Sequence, residues 1–158
     1  MLSAKPIIDI AVGINNNSEL DLTIDPMIEN KYIYYEVYNK IMPRRRLFVG
    51  LKKKIDFHKF QEKYSNNEEI PNNEINNLRL CHIHIWKFGS SEWKRHIAFR
   101  EYLKKYPVVC EKYAYLKNNL SEKNWVDGNE YNSAKNNFIK QVESEAYPWY
   151  NKYIKDNI

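Results

Sequence analysis

Apolar and polar positions follow two patterns along this chain, with short apolar runs in its first part and helical spacings in its last part. Runs rich in β-branched and aromatic residues, bounded by Gly, Asn or Pro, are typical of strands. The stretch 20–29 is mildly amphipathic and predicts a short helix, and residues 39–43 have the length of a hairpin connection. The predicted strands cover residues 6–14, 32–38, 44–51 and 78–86.

After Gly89, apolar residues recur at helical spacing in three successive stretches. Apolar residues at this spacing lie on one side of a helix, so the three stretches predict helices that each bury one face. A serine at the start is a good N-cap, and a proline between two stretches ends one helix and begins the next. The boundaries are Ser90 or Ser91, Pro107, the turn Asp127-Gly128, and Pro148, where the third helix is expected to stop.

The order β-α-β-β-loop-β-α-α-α predicts an α+β fold with a small mixed or antiparallel sheet of about four strands. Helices are expected to pack on this sheet and to form the C-terminal half. Residues 52–77 are mostly charged residues and asparagines, and they predict a long loop with one helical turn around Phe57–Tyr64. Four strands alone would leave a sheet face bare, so residues 1–158 are expected to form a single domain.

Composition and charge narrow the class of protein. Apolar residues make up 43% of the 158 residues and charged residues 28%, as in an ordinary globular protein. The net charge of +5 is spread over both halves, which argues against a nucleic-acid-binding module. No apolar run reaches the length of a membrane span, and the two cysteines form no Cys-x-x-Cys pair. We therefore expect a cytoplasmic protein without a membrane segment.

Asp9 interrupts the apolar run of the first predicted strand. A carboxylate inside a core strand is costly unless it is paired, so it is expected either to bind a metal ion or to pair with a basic residue such as Lys5 or Arg44. Enzymes that transfer phosphoryl groups commonly hold Mg²⁺ with two carboxylates placed two residues apart. Here Ala11 occupies the second position, so that pair is incomplete.

Alternation places His82, His84 and Trp86 on one face of the last predicted strand. Two imidazoles on one face can share a metal ion, and neutral imidazole suits Zn²⁺. No Glu or Cys stands at a helpful offset, since Cys81 points to the opposite face. Three interpretations stay open for the pair: metal ligands, the wall of a polar pocket, or ordinary hydrogen-bonded sheet residues.

Two basic runs, Arg44-Arg45-Arg46 and Lys52-Lys53-Lys54, are candidates for binding phosphate. On a strand Arg44 and Arg46 would share a face, and guanidinium groups suit phosphate oxygens. The lysine run is typical of a solvated loop. The chain has no dinucleotide-binding glycine motif, Walker loop, Gly-x-Ser-x-Gly or His-Glu-x-x-His, which removes support for those enzyme classes.

Several motifs in a fixed order connect this sequence to a known family. The strongest is Gly89-Ser90-Ser91-Glu92-Trp93 followed by Ala98-Phe99-Arg100-Glu101-Tyr102-Leu103. The others are Ala4-Lys5-Pro6-Ile7-Ile8-Asp9-Ile10, Arg46-Leu47-Phe48, His82-Ile83-His84, Glu111–Lys117 and Tyr131–Ile139. Together they resemble the GrpB family, a group of bacterial domains placed in the nucleotidyltransferase superfamily, over nearly the whole chain except residues 52–77.

The resemblance implies a nucleotidyltransferase-like fold whose site holds a nucleoside triphosphate and Mg²⁺. In the family a Gly-Ser-Thr motif precedes the Ala-Lys-Pro segment, so this chain is expected to be truncated at its N-terminus relative to the family. Family members fused to dephospho-CoA kinase imply that enzyme as a protein partner. The implied catalytic residues are Asp9, His82 and His84, with Asp9 as the metal ligand, and the implied phosphate-binding residues are Lys5, Arg44 and Arg46.

Two functions stay open. One is a domain that binds a nucleotide, a small molecule or a protein partner without catalysis, and the aromatic pair Trp149-Tyr150 would suit an interaction surface. The other is a Mg²⁺-dependent nucleotidyltransferase that transfers a nucleoside monophosphate to an acceptor. The incomplete carboxylate pair and the missing Gly-Ser turn favour the first. A truncated product that folds poorly is a third interpretation.

Overall fold

The computed structural model of the chain describes residues 7–121 and 128–157. These residues form two compact units, residues 7–93 and residues 94–121 with 128–157. The first unit contains a four-stranded sheet and short helices, and the second is helical, which confirms the predicted α+β class. Among the described residues, no helix combines the length and apolar character needed to cross a bilayer.

The sheet is mixed and has the strand order β1-β4-β3-β2. Strand β1 runs parallel to β4, whereas β3 is antiparallel to both β4 and β2. The first and last strands in sequence are therefore neighbours, and the hairpin of β2 and β3 lies on the other side of β4. The strand bounds are Ile8–Ile14 for β1, Tyr32–Tyr34 for β2, Arg46–Leu51 for β3 and Arg79–Lys87 for β4.

Strand β1 was expected to be a buried core strand, and this prediction is wrong for the described residues. Ile8 is 59% exposed and Ile10 is 39% exposed, because β1 is the edge strand of the described sheet and pairs with β4. Only Val12 and Ile14 of this strand pack against the core. Asp9 therefore lies at an exposed sheet edge.

Each face of the sheet carries its own core. On one face, Cys81, Ile83 and Ile85 of β4 pack with Phe48 of β3, and helix α1, Ile24–Glu29, contributes partly buried apolar side chains. The other face is covered by residues from the segment 52–77, whose largest buried members are Phe57, Tyr64, Ile70 and Ile75. The alternation predicted for β4 is confirmed, since Cys81, Ile83 and Ile85 share one face.

The segment 52–77 contains more regular structure than the one predicted helical turn. It forms 3₁₀ helices at Lys54–Lys59 and Asn67–Glu69, and helix α2 at Asn72–Ile75. Its backbone also bonds to the end of β2, where the Tyr34 N–H donates to the Glu62 carbonyl over 2.9 Å. These bonds explain why β2 ends at Tyr34 and does not continue to residue 38: the chain turns into a 3₁₀ helix at Glu36–Lys40.

The described part of the second unit contains three helices: α3 at Ser91–Lys105, α4 at Pro107–Ser121 and α5 at Gly128–Asn157. The first two begin where the sequence indicates, and Ser90 Oγ accepts a hydrogen bond from the Trp93 N–H as a cap. The prediction that Pro148 ends the third helix is wrong, since α5 continues through it. Ala146, Trp149 and Tyr150, on both sides of the proline, pack into the helical core and stabilise the continued helix.

Candidate metal centre

The register between β1 and β4 places Asp9 directly beside His82 and Ala11 beside His84. Because alternate residues of a strand share a face, Asp9, His82 and His84 point to the same side of the sheet. The His82 Nδ1 lies 3.2 Å from Asp9 Oδ1, and the His84 Nε2 lies 3.6 Å from the same oxygen. One carboxylate oxygen thus faces two imidazoles from a strand 73 residues away.

These three side chains are close enough to one another to hold a metal ion. One ligand atom from each lies within 4.8 Å of the other two. Two imidazole nitrogens and one carboxylate oxygen are a donor set for Zn²⁺ and related transition metals, whereas Mg²⁺ prefers oxygen ligands. The Asp9 side chain is 71% exposed, so an ion can reach the site from solvent.

Two neighbours fix the imidazole of His84. The buried ring of Trp86 stacks on it, with ring centroids 5.3 Å apart and an angle of 8° between the planes. The guanidinium Nη1 of Arg45 lies 3.5 Å from the His84 Nδ1. His84 is therefore held between an aromatic plane and a positive charge, and such outer contacts orient a ligand for its metal.

The charges of the site favour an ionised carboxylate and a neutral imidazole. Desolvation would by itself raise the pKa of Asp9, but the hydrogen bonds and charges of His82 and His84 outweigh it and hold that pKa well below its ordinary value. Burial lowers the pKa of His84, Asp9 opposes this, and the charge of Arg45 adds to it. An ionised carboxylate and a neutral imidazole are the forms that bind a metal ion.

The phosphate-binding residues implied by the resemblance do not gather at this site in the described structure. Lys5 lies outside the described residues. Arg44 is exposed in the turn before β3, and because that strand begins at Arg46, the expectation that both arginines share a strand face is wrong. Arg46 pairs with Ile85, on the opposite face from His84, and binds Asp21 over 2.7 Å. Their binding of phosphate stays a prediction.

Sequence reasoning missed two features of the site. It found no third candidate ligand for the histidine pair, because it compared positions only within β4, whereas Asp9 on the neighbouring strand lies beside the pair. It also chose Arg44 and Arg46, whereas Arg45 is the arginine next to His84. The alternation of Arg46-Leu47-Phe48 indicated that Arg45 would share a side with Leu47, which pairs with His84.

Comparisons with known proteins agree on one family. The family model described as GrpB protein matches residues 1–145. The glutamate-rich protein GrpB of Alkalihalophilus pseudofirmus is 29% identical over 145 residues, covering 91% of this chain and 71% of that protein. The UPF0157 protein YqkA of Bacillus subtilis is 34% identical over 148 residues, covering 94% of this chain but only 36% of that protein.

A solved structure shares the fold. The crystal structure of conserved protein GrpB from Enterococcus faecalis superposes with a TM-score of 0.68 at 28% sequence identity. The match covers 94% of this chain and 74% of the other. The sequence motifs, the family match and the shared architecture lead to the same conclusion: this chain belongs to the GrpB family.

Proposed function

We propose that this chain binds a divalent transition metal ion at Asp9, His82 and His84, and uses that ion to bind the phosphate group of a nucleotide. The observation that carries the proposal is the convergence of two imidazoles on one carboxylate oxygen, at 3.2 and 3.6 Å. Three protein ligands leave coordination positions open for oxygen atoms of a ligand. A metal ion bound there neutralises negative charge on a phosphate oxygen.

The donor set argues for Zn²⁺, Mn²⁺ or Co²⁺ in place of the Mg²⁺ suggested by the resemblance. Mg²⁺ binds through carboxylates, waters and phosphate oxygens and gains little from imidazole. A nucleotide is the proposed ligand because the family resemblance is to the nucleotidyltransferase superfamily. Transfer of the nucleotide to an acceptor would be a further step, and the single carboxylate supports binding more directly than transfer.

Arg45 supplies the link between metal and phosphate in this proposal. Its Nη1 lies 3.5 Å from the His84 Nδ1, and because a guanidinium nitrogen can only donate, this contact suits the tautomer with its proton on Nε2, facing Asp9. A metal ion bound to Nε2 requires the proton on Nδ1, where it opposes the guanidinium N–H. A metal ion held at Nε2 would thus weaken the contact of Arg45 with His84, and the guanidinium would then help to bind a phosphate group at the site.

The C-terminal aromatic residues give less support to the alternative of a partner-binding module. Trp149 packs against Tyr102 at 5.5 Å and against Tyr106 at 6.0 Å between ring centroids. Tyr150 also packs against the helical core. These side chains contribute to the core of the second unit, so the interaction surface expected there loses its main feature. A protein partner, dephospho-CoA kinase included, stays a prediction.

The proposal is tested by titrating Zn²⁺, Mn²⁺ and Mg²⁺ into the metal-free protein, first alone and then with ATP, in an isothermal calorimeter. We expect Zn²⁺ or Mn²⁺ to bind more tightly than Mg²⁺, and ATP to bind only when such an ion is present. Asp9→Asn and His84→Gln should each weaken metal binding at least about tenfold. Arg45→Gln should keep the metal but lose most of the ATP binding.

The matched control is His58→Gln, which removes an exposed imidazole outside the site. It should bind metal and ATP as the unaltered chain does. Equal metal affinity in the Asp9 and His58 variants would contradict the site. ATP binding that does not depend on any metal would contradict the proposed role of the ion.

A further inference from the structure

A small cavity lies at the end of the sheet where β2 begins, β3 ends and β4 begins. Its volume is about 200 Å³, and its lining includes Tyr32, Gly50 and Cys81. These three residues are cross-strand neighbours, since Gly50 pairs with both Tyr32 and Cys81. The cavity is small beside the pockets of roughly 300–1,000 Å³ that hold drug-sized ligands. Its size suits a compact group.

The charges around this cavity have one sign. Lys31 precedes β2, and Lys52 and Lys54 follow β3, so two separate parts of the chain bring three lysines to its lining. None of the described residues that line it is acidic. Because three like charges near one space repel each other, an anion placed between them is favoured.

Two of the three lysines are already held by neighbouring groups. The Lys52 Nζ donates to the Asn77 carbonyl oxygen over 2.8 Å, which uses one of its three N–H donors and leaves two for a ligand. The Lys31 Nζ lies 5.2 Å from the centroid of the Phe57 ring. Asn77 and Phe57 do not line the cavity, so these two ammonium groups have to turn toward it to bind an anion.

Two backbone positions at the cavity, Lys31 and Gly50, are unusual in conformation or in the space available for a side chain. Lys31 has a φ of 69°, a left-handed conformation that side chains other than Gly and Asn adopt at a cost. At Gly50, a Cβ atom would lie 2.6 Å from the Cys81 Sγ and 3.1 Å from the Tyr32 ring. The missing side chain at Gly50 lets these two residues approach each other at the cavity floor.

We propose that this cavity is a binding site for phosphate, either as the free ion or as the phosphate group of a monoester, held by Lys31, Lys52 and Lys54. The site needs no metal ion and uses none of the residues of the metal centre, so it is a second binding function of the first unit. Lysine ammonium groups donate to phosphate oxygens, and the three lysines that line this cavity come from two separate segments of the chain.

The test uses inorganic phosphate and glycerol 3-phosphate, each titrated into the full chain in the presence of EDTA. The chelator removes the contribution of the metal centre, so that failure of this proposal and failure of the metal proposal are separate results. An ionic strength of about 0.15 M screens long-range attraction between the basic chain and any anion. Tighter binding of glycerol 3-phosphate than of phosphate would identify a monoester as the ligand, and the reverse order would identify the free ion.

Three single substitutions in the lysine run 52–54 distinguish a specific anion-binding site from general electrostatic attraction by a basic surface. Lys52→Gln and Lys54→Gln should each weaken binding about fivefold, the factor expected for one charge contact near the surface. Lys53→Gln removes the same charge from a residue that does not line the cavity, and it should bind as the unaltered chain does. Lys54→Gln keeps the Lys52 bond to Asn77, so it reports on binding even where Lys52→Gln affects folding.

Two results would overturn the proposal. One is an absence of binding of both anions by the unaltered chain at millimolar concentration. The other is an equal loss in the Lys53 variant and the two lining variants, which would show general attraction by a basic surface.

Discussion

At the scale of single residues, Glu36 shows how a side chain fixes a distant segment. The Ser65 Oγ donates to Glu36 Oε2 over 2.6 Å, and the Lys63 Nζ lies 3.4 Å from the same oxygen. The hydrogen bond from Ser65 lowers the pKa of Glu36, burial opposes this, and Lys63 adds to the lowering. An ionised Glu36 therefore ties the chain after β2 to the segment 52–77.

The lowered pKa predicts how the stability of the protein depends on pH. A carboxyl group with a lowered pKa in the folded state stabilises the fold above its unfolded value, and this contribution is lost as the pH falls through the folded value. Glu36→Gln should therefore reduce the free energy of unfolding at pH 7 by less than about 1 kcal/mol, since the side chain is partly exposed. Urea denaturation at pH 7 and pH 3 measures this.

The difference between the unaltered chain and Glu36→Gln should be smaller at pH 3 than at pH 7. Ser65→Ala, which removes the donor and leaves the carboxylate, is the matched control and should show the same trend. A difference that grows as the pH falls would contradict the assignment.

Single residues also mark the limit of what the sequence predicts about the site. Alternation along one strand correctly placed His82 and His84 on one face, because strand periodicity is a local property. Their contact with Asp9 depends on the register between strands 73 residues apart, which no local pattern specifies. Asp9 was identified for the wrong reason, as a buried charge, and it lies at an exposed sheet edge.

At the scale of elements, helix α5 runs from Gly128 to Asn157 with Pro148 inside it. Proline cannot donate to the carbonyl of residue 144, and its ring crowds the preceding turn. Buried Val142 and Ala146 lie before the proline and Trp149 after it, and all three pack in the helical core. Tertiary packing thus outweighs the local preference to end the helix.

This balance predicts that Pro148→Ala stabilises the protein. The substitution restores a backbone hydrogen bond and a good helix former, and the free energy of unfolding should rise by about 1–3 kcal/mol. Chemical denaturation followed by circular dichroism measures the change. Ser144→Ala, one turn earlier on the exposed side of the same helix, is the control and should change stability by less than about 0.5 kcal/mol. A loss of stability in Pro148→Ala would mean that the helix depends on the proline geometry.

The remaining elements were predicted correctly where local sequence signals specify them, and they were missed where contacts between distant segments specify them. All four strands and the starts of α3 and α4 were predicted, since their apolar runs and caps are local signals. The early end of β2 and the helices of residues 52–77 were missed. They depend on backbone bonds between Tyr34 and residues 62 and 64, which only the folded chain brings together.

At the scale of the whole molecule, the parallel pairing of β1 with β4 joins the start of the described chain to a strand many residues later. The α+β class and the mixed sheet followed from the order of elements, and the position of β1 beside β4 did not. The candidate metal centre, Asp9 with His82 and His84, lies across this long-range pair. These three side chains are brought together only by folding, so an ion that binds them is expected to stabilise the folded state alone.

A metal ion should therefore raise the stability of the protein by mass action. At a free concentration of 100 times Kd, Zn²⁺ is expected to add about 2.7 kcal/mol to the free energy of unfolding. Thermal denaturation with increasing Zn²⁺ measures the rise in Tm, and Asp9→Asn should lose most of it. Asp25→Asn, an exposed carboxylate in α1 outside the site, should keep the full rise. A Tm that does not respond to Zn²⁺ in the unaltered chain would contradict the metal centre.

Because Trp86 stacks on His84, the fluorescence of Trp86 is expected to depend on the charge of that imidazole. The indole is almost fully buried, and its plane lies against the imidazole at an angle of 8°. Charge placed on that imidazole, by a proton or a cation, alters the electronic environment of the indole through the shared ring face. The intrinsic fluorescence of this tryptophan is therefore expected to change when a cation occupies the neighbouring candidate site, and Trp86→Phe shows which part of the emission belongs to it.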